Sequence, residues 1–256
     1  MKYTKKNLQL RYNHEKVLPN HNMVAPNLIV PVVLQYVKPK SVVDFGCGIG
    51  TWLNAFKRNG AQEILGLDGD WYNKELLFNH IKPDEFQCVD LEQPILLPKE
   101  YDLVVSLEVA EHLAEEKADV FVKSLTDAGK IILFSAAFPK QGGLNHLNEQ
   151  WYTYWVQKFE KHNYRFYDII RSKIWNNADI QHWWYKQNMF FVVHKDVDFG
   201  CQEDSFNFRD FNFLHPDVYT KSLNEINKIK EGKEGVRCYI RLLCLAMKRK
   251  FRANTR

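Results

Sequence analysis

Short apolar stretches recur along the chain, each bounded by glycine or polar residues. Val42, Val43 and Phe45 form the first, a run that ends in glycines and has the pattern of a buried strand. Six more follow the same rule: Glu63–Asp68, Glu85–Leu91, Tyr101–Leu107, Lys130–Ser135, Tyr164–Ile170 and, as the last, Met189–His194. Segments of helical character lie between them, among them Thr51 to Lys57. Strands alternating with helices predict an α/β fold with a mostly parallel sheet covered on both faces. Ahead of the first strand, Pro26–Val37 is apolar enough for a buried helix, with Pro31 kinking it or marking its start.

Between the first strand and its helix, Gly46, Gly48 and Gly50 make a tight turn. Such a turn at a helix N-terminus lets the backbone approach a ligand closely. A dinucleotide fingerprint has the spacing G-x-G-x-x-G. Here the third glycine comes one residue early, and position 51 is Thr. Asp44 adds a carboxylate at the strand end, a poor companion for a pyrophosphate and a good one for an ammonium or sulfonium. Asp68 closes the second strand 22 positions beyond Gly46, close to the ~20 expected of an acid that grips ribose hydroxyls. Asp90 closes the third. The ligand crevice of such sheets lies at the carboxyl ends of the strands, where all three acids fall.

The D-x-G-x-G-x-G pattern of Asp44–Gly50 resembles the nucleotide loop of class I S-adenosylmethionine (SAM) methyltransferases. The resemblance covers roughly residues 25–195. It implies a Rossmann-like sheet of seven strands, helices on both faces and an antiparallel last strand. It also implies SAM as cofactor, held by Asp44, Gly46, Gly48, Gly50, Asp68 and Gly69, with Leu107 at the end of the fourth strand. Asp90 would meet the adenine amino group and the Leu91 N–H a ring nitrogen. The chain then divides into an N-terminal arm or flap (1–24), a methyltransferase domain (25–196) and a basic, helical C-terminal extension (197–256).

Glu108-Val-Ala-Glu111-His112 follows the fourth strand and is read as opening the next helix, which would place Glu108, Glu111 and His112 on one face. Two carboxylates and an imidazole there can hold a divalent cation; without one they crowd like charges. E-x-x-E-H resembles the motif of small-RNA 3′-terminal 2′-O-methyltransferases and ubiquinone-pathway O-methyltransferases. In those families a histidine after the fifth strand completes a metal site, and His146 stands in that region here. The donor set suits Mg²⁺ or Mn²⁺, with Zn²⁺ and Fe²⁺ open. Such an ion lowers the pKa of an acceptor oxygen. The other reading has no metal: Glu108 and Glu111 complement a helix dipole, His112 packs, and His146 is the general base, oriented by Glu149. Catalytic candidates are thus Glu111 and His112 after the fourth strand, with His146 and Glu149 on a loop after the fifth that Gly142-Gly143 allows to move. Methyl transfer is an in-line displacement, so alignment and water exclusion supply most of the rate.

Five of the seven tryptophans fall between positions 151 and 184. Aromatic faces beside amides suit a sugar as they suit a core. Trp155 and Trp175 read as core; His182 and Gln187 read as pocket residues. The words N-E-Q-W…Y-W and W-W-Y…Q-N look like those of bacterial methyltransferases from natural-product and surface-polysaccharide pathways.

Composition narrows the partners. The chain of 256 residues carries +4, but residues 216–256 hold eleven Lys or Arg against four Asp or Glu, or +7, which leaves −3 for the rest. A body of that sign is not a nucleic-acid track. Five cysteines without a C-x-x-C pair exclude a disulfide framework, and Cys47, Cys88 and Cys244 read as packing residues. No run approaches the ~20 apolar residues of a membrane span, and the N-terminus lacks a secretory core. A cytoplasmic location follows. Arg237–Arg252 has helical apolar spacing and a basic end, which fits docking on its own domain, a homodimer, or peripheral contact with the inner membrane surface. The expected function is SAM-dependent O-methyl transfer to a small molecule: a sugar, an activated capsule or polysaccharide precursor, or a phosphate-type oxygen. An RNA 3′-end 2′-O-methyltransferase and an inactive SAM-binding scaffold are the alternatives.

Overall fold

The computed structural model describes residues 22–70, 74–200 and 214–253. Nearly all of the expected N-terminal arm lies outside the described residues. Helix α1 (Val24–Val33) starts two residues before Pro26, in a first turn whose N–H groups need no helical partner, and carries Pro31 inside it. Then follow β1 (Ser41–Phe45), α2 (Thr51–Arg58), β2 (Glu63–Asp68), α3 (Lys74–Phe78), β3 (Phe86–Cys88), β4 (Leu103–Leu107), α4 (Ala118–Ala128) and β5 (Ile131–Ser135). After them come α5 (Tyr152–Glu160), β6 (Tyr164–Tyr167), α6 (Arg171–Ile174), α7 (Trp183–Asn188) and β7 (Phe190–His194).

The strands form one seven-stranded sheet in the order β3-β2-β1-β4-β5-β7-β6. β1 pairs in parallel with β2 and β4, while β7 runs antiparallel to β5 and β6. The mostly parallel sheet with a reversed last strand is thus the one expected. Its two edge strands, β3 and β6, are shorter than their apolar runs. Each has a neighbour on one side only, and short edges leave little unpaired backbone.

Alternation along the strands builds two cores. Val42, Leu103, Leu133 and Phe191 face a layer with Ile29, Val33, Leu53 and Phe56 from α1 and α2. Their neighbours Val43, Val104, Ile132 and Val192 face the other side, onto Phe121 and Leu125 of α4 and Trp155 and Phe159 of α5. Trp155 is core, as expected, whereas Trp175 is half-buried. Two cysteine expectations fail: Cys88 and Cys244 are exposed, Cys88 because it lies on the edge strand.

The chain separates into two compact units, Met1–Phe213 and Leu214–Arg256. Val197 and Phe199 still pack on the sheet's first core, so the chain just after β7 belongs with the sheet. The second unit comprises α8 (Pro216–Lys230) and α9 (Val236–Ala253). Its connecting turn is pinned by the Tyr239 hydroxyl, 3.0 Å from the Ile229 carbonyl and 3.1 Å from the Glu234 N–H.

Candidate active site

The glycine turn joins β1 to α2 at the carboxyl edge of the sheet. Gly46 has φ 87° and donates its N–H to the Leu67 carbonyl at 2.7 Å. A Cβ there would sit 2.4 Å from the Val109 side chain, so only glycine brings the loop after β4 this close. Asp44 is 2% exposed, and no described residue gives its carboxylate a hydrogen bond or ion pair. Burial, then the charge of Asp68, pushes its carboxyl well above the usual range. Asp68 is held in place: Oδ2 accepts the Gly48 N–H and Oδ1 the Gly69 N–H, both at 2.7 Å. Asp90 is exposed just past β3, with Leu91 buried in the core below it and Leu107 buried at the end of β4. An unpartnered buried carboxylate, a backbone-anchored one and an exposed one therefore follow three adjacent strands. This set fits a ligand with a cationic head and a hydroxyl-bearing sugar.

The segment after β4 departs from expectation. Glu108 does not open a helix: it has φ 57°, and Ala110–His112 is a single 3-10 turn. The buried end of β4 turns so abruptly that the three residues no longer share a helical face. The Glu108 N–H donates to Ser135 Oγ at 3.0 Å. Its carboxylate accepts Gln141 Nε2 at 2.8 Å and Asn188 Nδ2 at 2.9 Å. Asn188 Oδ1 in turn accepts the Tyr152 hydroxyl at 2.7 Å, and that oxygen accepts Gln187 Nε2 at 2.8 Å. The Gln187 carbonyl accepts Arg171 Nη1 at 3.1 Å, and Arg171 is paired with Asp168. Gln187 is thus fully buried and committed to this network, which corrects its reading as a pocket residue.

Glu111 is its opposite. It is 0% exposed, and neither carboxylate oxygen has a formed hydrogen bond, although the N–H groups of Glu111 and Ala137 lean toward it. Burial, then the charge of Glu108, raises its carboxyl well above the ordinary value. One ligand atom each of Glu111, His112 and His146 falls within 4.8 Å of the others. The two imidazoles meet edge to face, with ring centroids 4.8 Å apart. Glu108, committed to its amides, stands outside this group. His146 arrives because the Glu111 carbonyl accepts the N–H groups of Leu147 at 2.7 Å and Asn148 at 2.9 Å. Glu149 fixes its ring: Oε1 lies 2.8 Å from His146 Nδ1 and accepts the Gly142 N–H at 2.9 Å, while Oε2 accepts the Lys140 N–H at 2.7 Å. Gly143 packs flat on that imidazole, where a Cβ would lie 2.1 Å from Nε2.

Tyr185 connects the two halves. Its ring meets Trp52 of α2 at 5.3 Å, and burial together with the nearby charges of Glu108 and Asp44 pushes its hydroxyl up to about 12. The rim is aromatic: Phe138 stacks on Trp151 at 6.2 Å and meets Trp183 at the same distance, while His182 stacks on Trp184 at 4.5 Å. Trp151 remains 41% exposed beside Leu147. Gln141, Asn188, Tyr152 and Tyr185 were not among the expected site residues. Their only signal was position, on the loop after β5, at the start of α5 and on the insert before β7.

Comparison with known proteins assigns the family and the fold. A family profile described as a methyltransferase domain matches residues 27–188. A ubiquinone biosynthesis O-methyltransferase from Rhodopseudomonas palustris (strain BisB18) is 31% identical over 121 residues, covering 44% of this chain and 42% of that protein. The protein of that name from Coxiella burnetii (strain RSA 493 / Nine Mile phase I) is 29% identical over 107 residues, covering 38% and 45%. The chain thus spans less than half the length of these curated relatives. Among solved structures, the methyltransferase domain of bacterial CtHen1 superposes with a TM-score of 0.50 at 22% identity, over 68% of this chain and 98% of that one. Streptomyces venezuelae DesVI gives a TM-score of 0.52 at 13% identity, over 72% and 99%. At those identities the likeness is one of fold.

Proposed function

Because this chain belongs to the methyltransferase-domain family, of class I SAM-dependent fold, we propose that it moves a methyl group from SAM to an oxygen of a small molecule, a sugar or activated polysaccharide precursor being the first class to test. One observation carries the reading. A fully buried carboxylate with no hydrogen bond, Glu111, lies within 4.8 Å of two imidazoles, two residues beyond the Val109 that packs on Gly46 of the glycine turn. Burying such a charge is costly unless a cation or proton meets it.

Asp44 supplies negative charge next to the glycine turn, where the cationic end of the donor belongs, and Asp68 accepts ribose hydroxyls. Glu111, His112 and His146 would hold a divalent cation of the Mg²⁺ or Mn²⁺ class. When bound, that ion polarises an acceptor oxygen and lowers its pKa. Glu149 on the second nitrogen of His146 is the arrangement that fixes the tautomer and direction of a ligating imidazole. The cluster of Phe138, Trp151 and Trp183 would give a sugar ring apolar faces to lie against. Oxygen as the acceptor atom is supported by the O-methyltransferases among the curated relatives. The −3 charge outside the C-terminal unit argues against an RNA substrate.

The test is S-adenosylhomocysteine formation with a panel of sugars, sugar nucleotides and sugar phosphates, with and without Mn²⁺, beside calorimetric uptake of SAM. Turnover that requires the cation and an acceptor from the panel supports the reading. SAM uptake with full turnover after exhaustive chelation leaves His146 as the general base and removes the cation. Absence of SAM uptake sinks the whole proposal.

A further inference from the structure

Helix α9 spans 18 residues. Within it the sequence places six Lys or Arg and no Asp or Glu. Val236, Ile240, Leu243 and Met247 recur at intervals that bring them to one face, and they are 74%, 56%, 62% and 51% exposed. Arg237, Arg241 and Lys248 share a second face, turned from the first by roughly 100° at helical pitch. On α8, Tyr219, Leu223 and Ile226 form another apolar stripe, 63%, 38% and 47% exposed. No described helix is long and apolar enough to cross a membrane.

We propose that this unit docks on an anionic lipid surface, α9 lying in the plane of the interface with its apolar stripe at the acyl boundary and its basic stripe at the phosphates. The charge pattern chooses the occupant. A second copy of the chain would cover the apolar stripe but bring another +7 beside the first. A nucleic acid would neutralise the arginines and lysines and leave the apolar stripe in water. An anionic bilayer satisfies both stripes at once.

Sedimentation of the full chain with vesicles tests this, using phosphatidylcholine alone against phosphatidylcholine mixed with phosphatidylglycerol. Binding is expected to the mixed vesicles, to fall with added salt, and to be weak on the neutral ones. Each basic residue removed should weaken it by about five-fold, so Arg237→Ala with Arg241→Ala gives roughly 25-fold. Ile240→Glu with Leu243→Glu should abolish it. These side chains are exposed, so helix content by circular dichroism and SAM uptake should stay parental; both readouts separate a folding defect from lost docking. Equal binding to neutral vesicles, or no binding to mixed ones, overturns the proposal. So does a glutamate pair that only turns a dimer into a monomer in sedimentation velocity, or retention of RNA in place of vesicles.

Discussion

Glu108 and Glu111 follow the same strand three residues apart, and the fold treats them in opposite ways. Glu108 accepts two side-chain amides and ends a network that runs through Asn188 and Tyr152 to Arg171. Glu111 is more deeply buried and has no formed hydrogen bond. A satisfied buried carboxylate stabilises structure, whereas an unsatisfied one is kept at a cost to stability. That cost is reasonable where a ligand later meets the charge. The contrast separates the acid committed to the frame of the site from the acid left for the proposed chemistry.

The largest expected effect is on turnover. Glu111→Ala should lower the rate on an identified acceptor by about 10²- to 10⁴-fold while SAM uptake persists; steady-state kinetics beside calorimetry read this. Glu108→Ala should act on the fold instead. It takes the acceptor from Gln141 Nε2 and leaves Asn188 Nδ2 only Gln141 Oε1, and should cost about 2 kcal/mol of stability, seen as a lower denaturant midpoint that Glu111→Ala does not share. If the two variants behave alike, the distinction fails. Gly143→Ala sharpens it further, because the new methyl must displace the His146 ring; turnover should fall about 10- to 100-fold at nearly parental Tm.

The smallest effect concerns pH. Asp44 has its carboxyl raised by burial and by Asp68. Its contribution to stability is therefore fully present below the ordinary value of 3.8 and lost as pH rises through the higher folded-state value. Without donor, Asp44→Asn should melt above the parent at neutral pH, and the gain should vanish as pH falls below 3.8. A constant difference across pH would mean that Asp44 is not the group that titrates.

Much of the sheet was legible because the signals are local. Val42 to Phe45 run into three glycines, and alternating strand residues divide cleanly between two cores. Glu149 beside His146 was legible for the same reason, being three positions away. The segment Glu108–His112 was not. Its spacing matches a helix, and nothing local announces that Glu108 takes a left-handed backbone to face amides 33 and 80 residues downstream. Tyr185 escaped for the same reason, since its meaning lies in meeting Trp52 across the sheet's edge. Cys88 was misjudged because an apolar run does not say whether it lies at the centre of a sheet or on its margin.

The Glu111 carbonyl holds the amides of Leu147 and Asn148, while the side chain of the same residue faces His112 and His146. One residue therefore anchors the segment with its backbone and meets the segment's histidine with its side chain. Should the 144–149 segment swing outward to admit a bulky acceptor, it would tug on the acid and carry its histidine off. Under the proposed mechanism, opening that door would disarm the site, which could fire only once shut.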